Sequence, residues 1–217
     1  MIVALLVTFA MIDGSSSNVA DEYLDSIIGE TLEREIKNMK LDPAPLPDFG
    51  IPFKQIGPIP VSGRVDYHNG IFNGLSRIRR FRQCDGPSIN INEVKMECVM
   101  NFFGMNTVYD GKARVEQFPP IPFQVTAYIN ETIVRSAIAG QPASLKGQLK
   151  AFEIEKFGDI NVRLSNLGPF QYIYNIVEEE FRERVREEII SIIISQFPVA
   201  FKKAITQARL PGLGGRR

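Results

Sequence analysis

The sequence predicts an α+β fold, in which a long, strongly twisted antiparallel sheet wraps around a long C-terminal helix and a second helix stands at the N-terminus. From Val61 to Leu164 the dominant apolar period is two, which is typical of strands with one buried and one exposed face. From about Phe170 to Gln207 apolar residues recur at three- and four-residue steps, which places them on one side of a helix. This stripe is too apolar for a solvent-exposed helix, so the helix needs an equally long apolar partner. A twisted sheet that curls around it supplies one.

Residues 1–17 are predicted to be a signal peptide. Met1 to Ile12 contains eleven apolar residues and no charge, a run shorter than the about 20 residues that span a bilayer. The small residues Ser15-Ser16-Ser17 follow, as in a cleavage region. The alternative is a buried first strand or helix. With the signal removed, we expect a secreted, extracellular protein with a single domain over residues 18–210.

The first helix is expected to begin at Asp21, whose carboxylate is a candidate N-cap. The helix must end before residues 42–47, because each proline in that segment disfavours helix in the residue before it. Further prolines up to Pro60 predict an extended, stiff connection to the strands. The apolar stripe of this helix consists of Leu24, Ile27, Ile28, Leu32, Ile36 and Met39.

Strands are predicted where apolar and polar residues alternate, and turns where glycine clusters with proline, asparagine or aspartate. The alternating segments are 94–102, 121–130, 145–151 and 160–164. The turn signals are His68-Asn69-Gly70, Asp85-Gly86-Pro87, Asp110-Gly111, Gly140-Gln141-Pro142 and Gly158-Asp159. His68, the only histidine of the chain, is interpreted as a surface turn residue.

Cys84 and Cys98 are predicted to form a disulfide. In an oxidising compartment an even pair at this spacing is a typical disulfide, and closing a loop of about 15 residues adds roughly 3 kcal/mol of stability. Two free buried thiols are the alternative. Asn130-Glu131-Thr132 is an N-glycosylation acceptor, and Asn130 falls on the exposed face of its predicted strand. Both features agree with secretion.

The C-terminal helix follows Gly168-Pro169, since proline is tolerated in a first helical turn. Pro198 lies inside the apolar pattern and is expected to kink or split the helix near Gln196. The polar side of the helix mixes acidic and basic residues without an excess of lysine and arginine, which argues against reversible membrane binding by this helix. We also expect no stable membrane insertion. Residues 211–217 are expected to form a flexible tail.

The composition argues against several classes of function. Lys plus Arg number 25 and Asp plus Glu number 25, so nothing favours nucleic acid as a partner. One histidine cannot form a histidine-rich metal site, and the sequence carries neither a serine-triad motif nor a glycine-rich phosphate loop. We therefore expect a protein that is not an enzyme and has no metal or cofactor. The sequence gives no indication of the oligomeric state.

Several short segments resemble the mite group 7 allergens and, more distantly, the arthropod juvenile-hormone-binding-protein superfamily of tubular lipid-binding folds. The segments are Leu41-Asp42-Pro43, Leu46-Pro47-Asp48, Ile56-Gly57-Pro58-Ile59, Gly63-Arg64-Val65-Asp66, Gly74-Leu75 and Pro198-Val199-Ala200-Phe201-Lys202-Lys203. They span most of the chain after the signal peptide. The resemblance implies a secreted single domain whose super-rolled antiparallel sheet encloses the C-terminal helix.

Members of the wider superfamily hold lipids or other apolar molecules between helix and sheet, so the resemblance implies a hydrophobic ligand or lipid as partner. The residues expected to line such a site are Met96, Met100, Phe102, Phe123, Val125, Ile189, Ile193 and Phe197. Methionine suits a pocket that adapts to different ligands. The alternative is that these side chains pack a dry core. The protein would then be a secreted recognition protein that acts through loops such as Phe118-Pro119-Pro120 and the proline-rich stretch 43–60.

Overall fold

The computed structural model describes residues 19–56, 60–89, 91–165 and 171–211. The predicted signal peptide and all but the first residue of the predicted tail lie outside these ranges. Within them the chain forms an N-terminal helical segment, eleven antiparallel strands and a C-terminal helical segment. The predicted α+β class and order of elements are confirmed.

The N-terminal helical segment consists of α1 (Val19–Ser26), a π-helical stretch (Ile27–Leu32) and α2 (Glu33–Asn38). The prediction of Asp21 as an N-cap is wrong. Asp21 lies inside α1 and is buried, where its carboxylate accepts a hydrogen bond of 2.7 Å from the backbone N–H of Cys84 and pairs with Arg80 at 3.1 Å. Asp21 therefore ties the first helix to the cysteine-bearing segment.

The strands form two separate hydrogen-bonded sheets. The six-stranded sheet contains β1 (Ala44–Leu46), β2 (Phe49–Phe53), β3 (Gly63–Asn73), β7 (Met105–Val115), β8 (Ile121–Ile129) and β11 (Ile160–Ser165). The five-stranded sheet contains β4 (Ile78–Arg80), β5 (Asp85–Ile89), β6 (Val94–Phe102), β9 (Thr132–Gly140) and β10 (Gln148–Lys156). The extended proline-rich stretch is thus part of the first sheet, because β1 and β2 both pair with β3.

Four short links carry the chain between the two sheets: residues 74–77, 103–104, 130–131 and 157–159. We call the region formed by these links the waist. The backbone N–H of Phe103 donates to Arg77 at 3.1 Å, and that of Asn130 donates to Asp159 at 2.9 Å. The links are therefore joined in pairs across the waist.

Three of the five predicted turns are wrong. Asp110-Gly111 lies inside β7, His68-Asn69-Gly70 forms a bulge within β3, and Asp85-Gly86-Pro87 belongs to β5. Two of the glycines have a packing role instead. Gly111 is paired with Phe123, and a Cβ there would overlap the Phe123 ring, just as a Cβ at Gly70 would overlap the ring of Tyr109. The signals at Gly140-Gln141-Pro142 and Gly158-Asp159 do mark strand ends.

The predicted strand 145–151 is misplaced. The strand β10 begins at Gln148, and Leu145 lies in a turn with a φ of 52°. A register shift between Leu149 and Ala151 then breaks the alternation, so that Ala151 is exposed rather than buried. A bulge of this kind turns side chains to the opposite face.

The C-terminal helical segment consists of α3 (Gln171–Ser191), a π-helical stretch (Ile192–Gln196) and α4 (Phe197–Gln207). The predicted break near Gln196 is confirmed, since the regular helix is interrupted just before Pro198. The ring of Pro198 then occupies the first turn of α4, where its missing N–H is least costly.

This segment lies between the edges of both sheets. The helix α3 packs against β2 and β11, at the two edges of the six-stranded sheet, while α4 packs against β10 and the N-terminal helical segment. The helix α1 in turn contacts β4, β5 and β6. Each sheet therefore curls around a helical layer, and one continuous hydrophobic core extends through both.

Length and composition alone would let Val177–Gln207 cross a membrane, with a mean hydropathy of 1.4 over its most apolar window. The core helix of a globular protein passes the same test, and here Phe181, Val185, Ile189 and Ile193 are fully buried against the protein. The finding is therefore weak evidence for a membrane span.

The Gly111–Phe123 contact leads to a prediction for stability. We expect Gly111→Ala to lower the free energy of unfolding by about 1–3 kcal/mol, because the buried Phe123 ring has to move. Gly29→Ala is the matched control, since among the described residues no atom beyond its chain neighbours and its own helix backbone lies within 4 Å of its Cβ position. Removing a helical glycine there should raise the free energy of unfolding by roughly 0.5–1 kcal/mol. Chemical denaturation measures both, and equal effects would contradict the packing argument.

Candidate ligand-binding interior

All eight residues predicted to line a ligand site lie in the core, and none is more than 6% exposed. Met96, Met100 and Phe102 stand on β6 of the five-stranded sheet, while Phe123 and Val125 stand on β8 of the six-stranded sheet. The remaining three, Ile189, Ile193 and Phe197, follow one another along the C-terminal helical segment. The predicted burial is confirmed. Their role in holding a ligand stays a prediction.

The structure brings Phe102 and Phe197 into direct contact, with ring centroids 4.9 Å apart. Phe152 lies 5.3 Å from Phe197, and Phe201 lies 5.8 Å from it. These four rings form what we call the α4 ring cluster, inside the five-stranded sheet. The sequence analysis did not include Phe152 because the bulge in β10 displaces the alternation that would have identified it.

Phe123 belongs to a second group of rings inside the six-stranded sheet. Tyr67 is at its centre, 4.8 Å from Phe49, 4.8 Å from Phe181 and 6.0 Å from Phe123. Tyr109 completes this α3 ring cluster, 5.8 Å from Phe181. The alternation of β3 and β7 places Tyr67 and Tyr109 on the buried face. The sequence analysis did not identify them, because it predicted turns at Gly70 and Gly111 inside these strands.

Near the waist, between the two ring clusters, the described interior is lined by Phe72, by methionine and aliphatic side chains, and by the buried threonines Thr107 and Thr132. Met105 and Thr107 stand on the inward face of β7, and Thr107 is paired with Phe72 on one side and Ala127 on the other. The Thr107 side chain is fully buried, and its hydroxyl has no hydrogen-bond partner among the residues that the structure describes. A buried hydroxyl without a partner is uncommon, because it loses its hydrogen bonds to water.

Burial raises the pKa of the three core tyrosines. It raises the pKa of Tyr23 to about 12, and Tyr23 lies beside Gly147 and Ile205 at the α4 end of the interior. It also raises the pKa of Tyr67 and Tyr109, with further increases from Glu180 and from Glu188 and Asp48, respectively. The Tyr109 hydroxyl donates to the carbonyl of Pro47 at 3.3 Å. All three are therefore neutral at physiological pH.

The cysteines form the predicted disulfide, with Cα atoms 4.4 Å apart. Asn130 is exposed beside the waist, and its side-chain carbonyl accepts a hydrogen bond of 3.3 Å from Asn161. Thr132, the third residue of the acceptor triplet, is fully buried and accepts a hydrogen bond from the Gly158 N–H at 3.1 Å. Glycosylation of Asn130 stays a prediction.

Residues 19–56, 60–89, 91–165 and 171–211 contain no group of three His, Cys, Asp or Glu side chains arranged to hold a metal ion. His68 is exposed on the β3 bulge, and its Nδ1 lies 2.9 Å from the Asp48 carboxylate. This hydrogen bond lowers the pKa of Asp48. The pair connects β3 with the link that precedes β2.

A curled antiparallel sheet around a long apolar helix places this chain in a class of folds with an enclosed apolar interior. Comparison with known proteins identifies the family to which the chain belongs. The Group 7 allergen family model matches residues 19–200. The chain therefore belongs to the Group 7 allergen family, as its resemblance predicted. No curated protein matches the chain.

The chain is similar to several solved structures, among them the following two. A lipopolysaccharide binding protein is 13% identical, with a TM-score of 0.50, over 85% of this chain and 40% of its own. The chain thus spans less than half the length of that protein, and at this identity the likeness concerns the fold alone. Takeout 1 of Epiphyas postvittana is 14% identical, with a TM-score of 0.33, over 85% of this chain and 87% of its own.

The buried tyrosines predict loss of stability in alkali. Because their pKa values are raised in the folded state, the unfolded chain releases its phenolic protons first, from pH 10.0 upward. The free energy of unfolding should fall above that pH, with about 2 kcal/mol of the loss at pH 12 coming from Tyr23 alone. Tyr23→Phe should remove that part of the loss. Denaturation at stepped pH measures it, and an identical alkaline decline in both proteins would refute the assignment.

Proposed function

We propose that this protein binds an apolar small molecule or lipid between its sheets and its C-terminal helical segment. The eight predicted lining residues form the proposed contact surface: Met96, Met100, Phe102, Phe123, Val125, Ile189, Ile193 and Phe197. The observation that carries the proposal is the buried hydroxyl of Thr107 on the inward face of β7, which has no hydrogen-bond partner in the described part of the chain. A ligand oxygen next to it would supply the missing hydrogen bond.

The chemistry around Thr107 favours a mostly apolar ligand with few polar atoms. A neutral hydroxyl in mostly apolar surroundings orients a ligand without offering a strong charge, which is typical of small-molecule sites. The methionines Met96, Met100 and Met105 add flexible, polarisable surface that can follow ligands of different shape. Affinity would arise from the apolar area removed from water, at about 25 cal/mol per Å².

The comparisons support this proposal without identifying a ligand. The lipopolysaccharide binding protein shares the fold and binds lipopolysaccharide, as its name states. We further propose that the Group 7 allergen described here acts outside the cell, is not an enzyme, and carries a glycan at Asn130. The Cys84–Cys98 disulfide supports an oxidising compartment.

A packed interior is the second candidate, and the ring clusters favour it. Centroid distances such as 4.8 Å between Tyr67 and Phe181 are those of directly packed aromatic side chains. In that case the protein would act as a secreted recognition protein through exposed loops. Phe118 in the loop between β7 and β8 is 52% exposed and would serve such a role.

Enlarging one interior residue distinguishes the two candidates. Ile193→Phe adds volume inside the core, whereas the neighbouring Ile194 is 54% exposed, so Ile194→Phe is a matched control. If a ligand occupies the interior, Ile193→Phe should weaken binding of a fluorescent fatty-acid probe at least tenfold, with little change in stability. If the interior is packed, the same change should cost about 1–3 kcal/mol of stability. Deglycosylated wild-type protein that binds no probe would contradict ligand binding.

The role of Thr107 can be tested by an isosteric change. Thr107→Val removes a buried hydroxyl without a partner, so we expect the free energy of unfolding to rise by about 1 kcal/mol and binding of probes with a polar head to weaken. Thr132→Val is the control, because that hydroxyl accepts a hydrogen bond from Gly158 and its loss should destabilise the protein. Both variants are compared in protein produced without glycosylation. Destabilisation by Thr107→Val would show that the hydroxyl already has a partner.

A further inference from the structure

The helix α3 forms a groove on each of its sides, where it meets the edge strands of the six-stranded sheet. The β2 groove lies between residues 49–51 and a row of acidic side chains, Glu180, Glu183 and Glu187, with Arg184 among them. The β11 groove is lined by Tyr128, Asn130, residues 160–163, Glu178 and Arg182. The two grooves therefore differ in charge, although one helix forms a wall of both.

Two arginines on the β11 side have nitrogen atoms without partners. Arg182 pairs with Glu178 through one terminal nitrogen, but its Nε is buried and has no hydrogen-bond partner among the described residues. Arg186 follows one helical turn later, and its Nε is likewise buried and unpartnered there. No carboxylate of the described chain forms an ion pair with Arg186, whose guanidinium lies 5.3 Å from the ring centre of Phe157 at the waist. The guanidinium of Arg186 therefore lies at the waist.

The floor of the β11 groove is formed by side chains that belong to the apolar core or pack against it. Ile160 is buried, and Val162 packs against the core from the neighbouring inward position of β11. On the helix, Phe181 and Val185 point into the same core beside the two arginines. Arg163 adds a third guanidinium at the outer edge, over the ring of Tyr128 at 5.2 Å. Cationic donors thus border apolar side chains that belong to the core or pack against it.

We propose that the β11 groove binds the anionic head group of an amphiphile, a carboxylate or a phosphate, whose tail enters the interior at the waist. This inference rests on the function proposed above. The guanidinium group presents planar, paired donors that match carboxylate and phosphate oxygens. Arg163 and Arg182 line the groove together with Glu178, and Arg186 lies one helical turn beyond Arg182, so these four side chains carry an excess of positive charge. The acidic β2 groove would repel the same head group, so the head group selects one side of α3.

The test compares long-chain fatty acid, alkyl phosphate and the uncharged fatty alcohol of equal length, each displacing a fluorescent probe from deglycosylated full-length protein. Arg186→Gln and Arg182→Gln should each weaken binding of the two anionic amphiphiles by roughly tenfold or more. Their affinity for the alcohol should stay within about twofold of wild type. Arg184→Gln is the matched control on the β2 side and should change none of these affinities.

The possible outcomes separate the head-group site from the interior site. If wild type and the arginine variants bind acid and alcohol equally well, the head-group site is refuted and the interior site stands. If wild type binds none of the amphiphiles, both proposals fail. Acetate and inorganic phosphate, which lack a tail, should not compete at concentrations where the amphiphiles do. Competition by these ions alone would identify a site for free anions and overturn the amphiphile proposal.

Discussion

Coverage of the long C-terminal helical segment is the constraint on which the structure depends. Fully buried residues follow one another along it from Val185 through Ile189 and Ile193 to Phe201, so both sheets have to reach around it. Each sheet does so by curling until its edge strands approach the helical layer. The same arrangement protects β2 and β11, because a strand at a free edge exposes unpaired backbone groups.

The division into two sheets follows from the waist. Links of two to four residues move the chain from one sheet to the other, and the π-helical stretch Ile192–Gln196 lies where the helical segment passes from α3 to α4. Aromatic rings pack against the helical segment on either side of this passage, and Phe72, methionine and aliphatic side chains lie with Thr107 between the two ring clusters. The proposed interior site and the β11 groove therefore meet at the waist. The neutral donor there is the Thr107 hydroxyl inside the core, and the charged donors are the arginines at the surface groove.

Local periodicity predicted much of this fold. The bounds of β6, the buried face of β8 and the break before Pro198 could be read from the sequence, because each depends on neighbours along the chain. The role of Gly70 and Gly111 could not be predicted from the sequence, because each glycine makes room for an aromatic ring on the paired strand. Asp21 was misassigned for the same reason, as its partner Cys84 is distant in sequence. The eight lining residues were correctly placed in the core. The β11 groove could not be predicted, because it depends on the strand order that brings β11 beside α3.

The position of the C-terminal helical segment after all the described strands has a consequence for biosynthesis. The strands of both sheets leave the ribosome before α3 and α4. The apolar faces of the sheets are therefore synthesised before the helical segment that covers them. Contacts between strands and this helix join residues far apart in sequence, and such topologies fold slowly. Until α3 and α4 emerge, the chain exposes apolar sheet faces of the kind that molecular chaperones recognise. Truncation before α3 would thus leave two open sheets rather than a smaller version of the same protein.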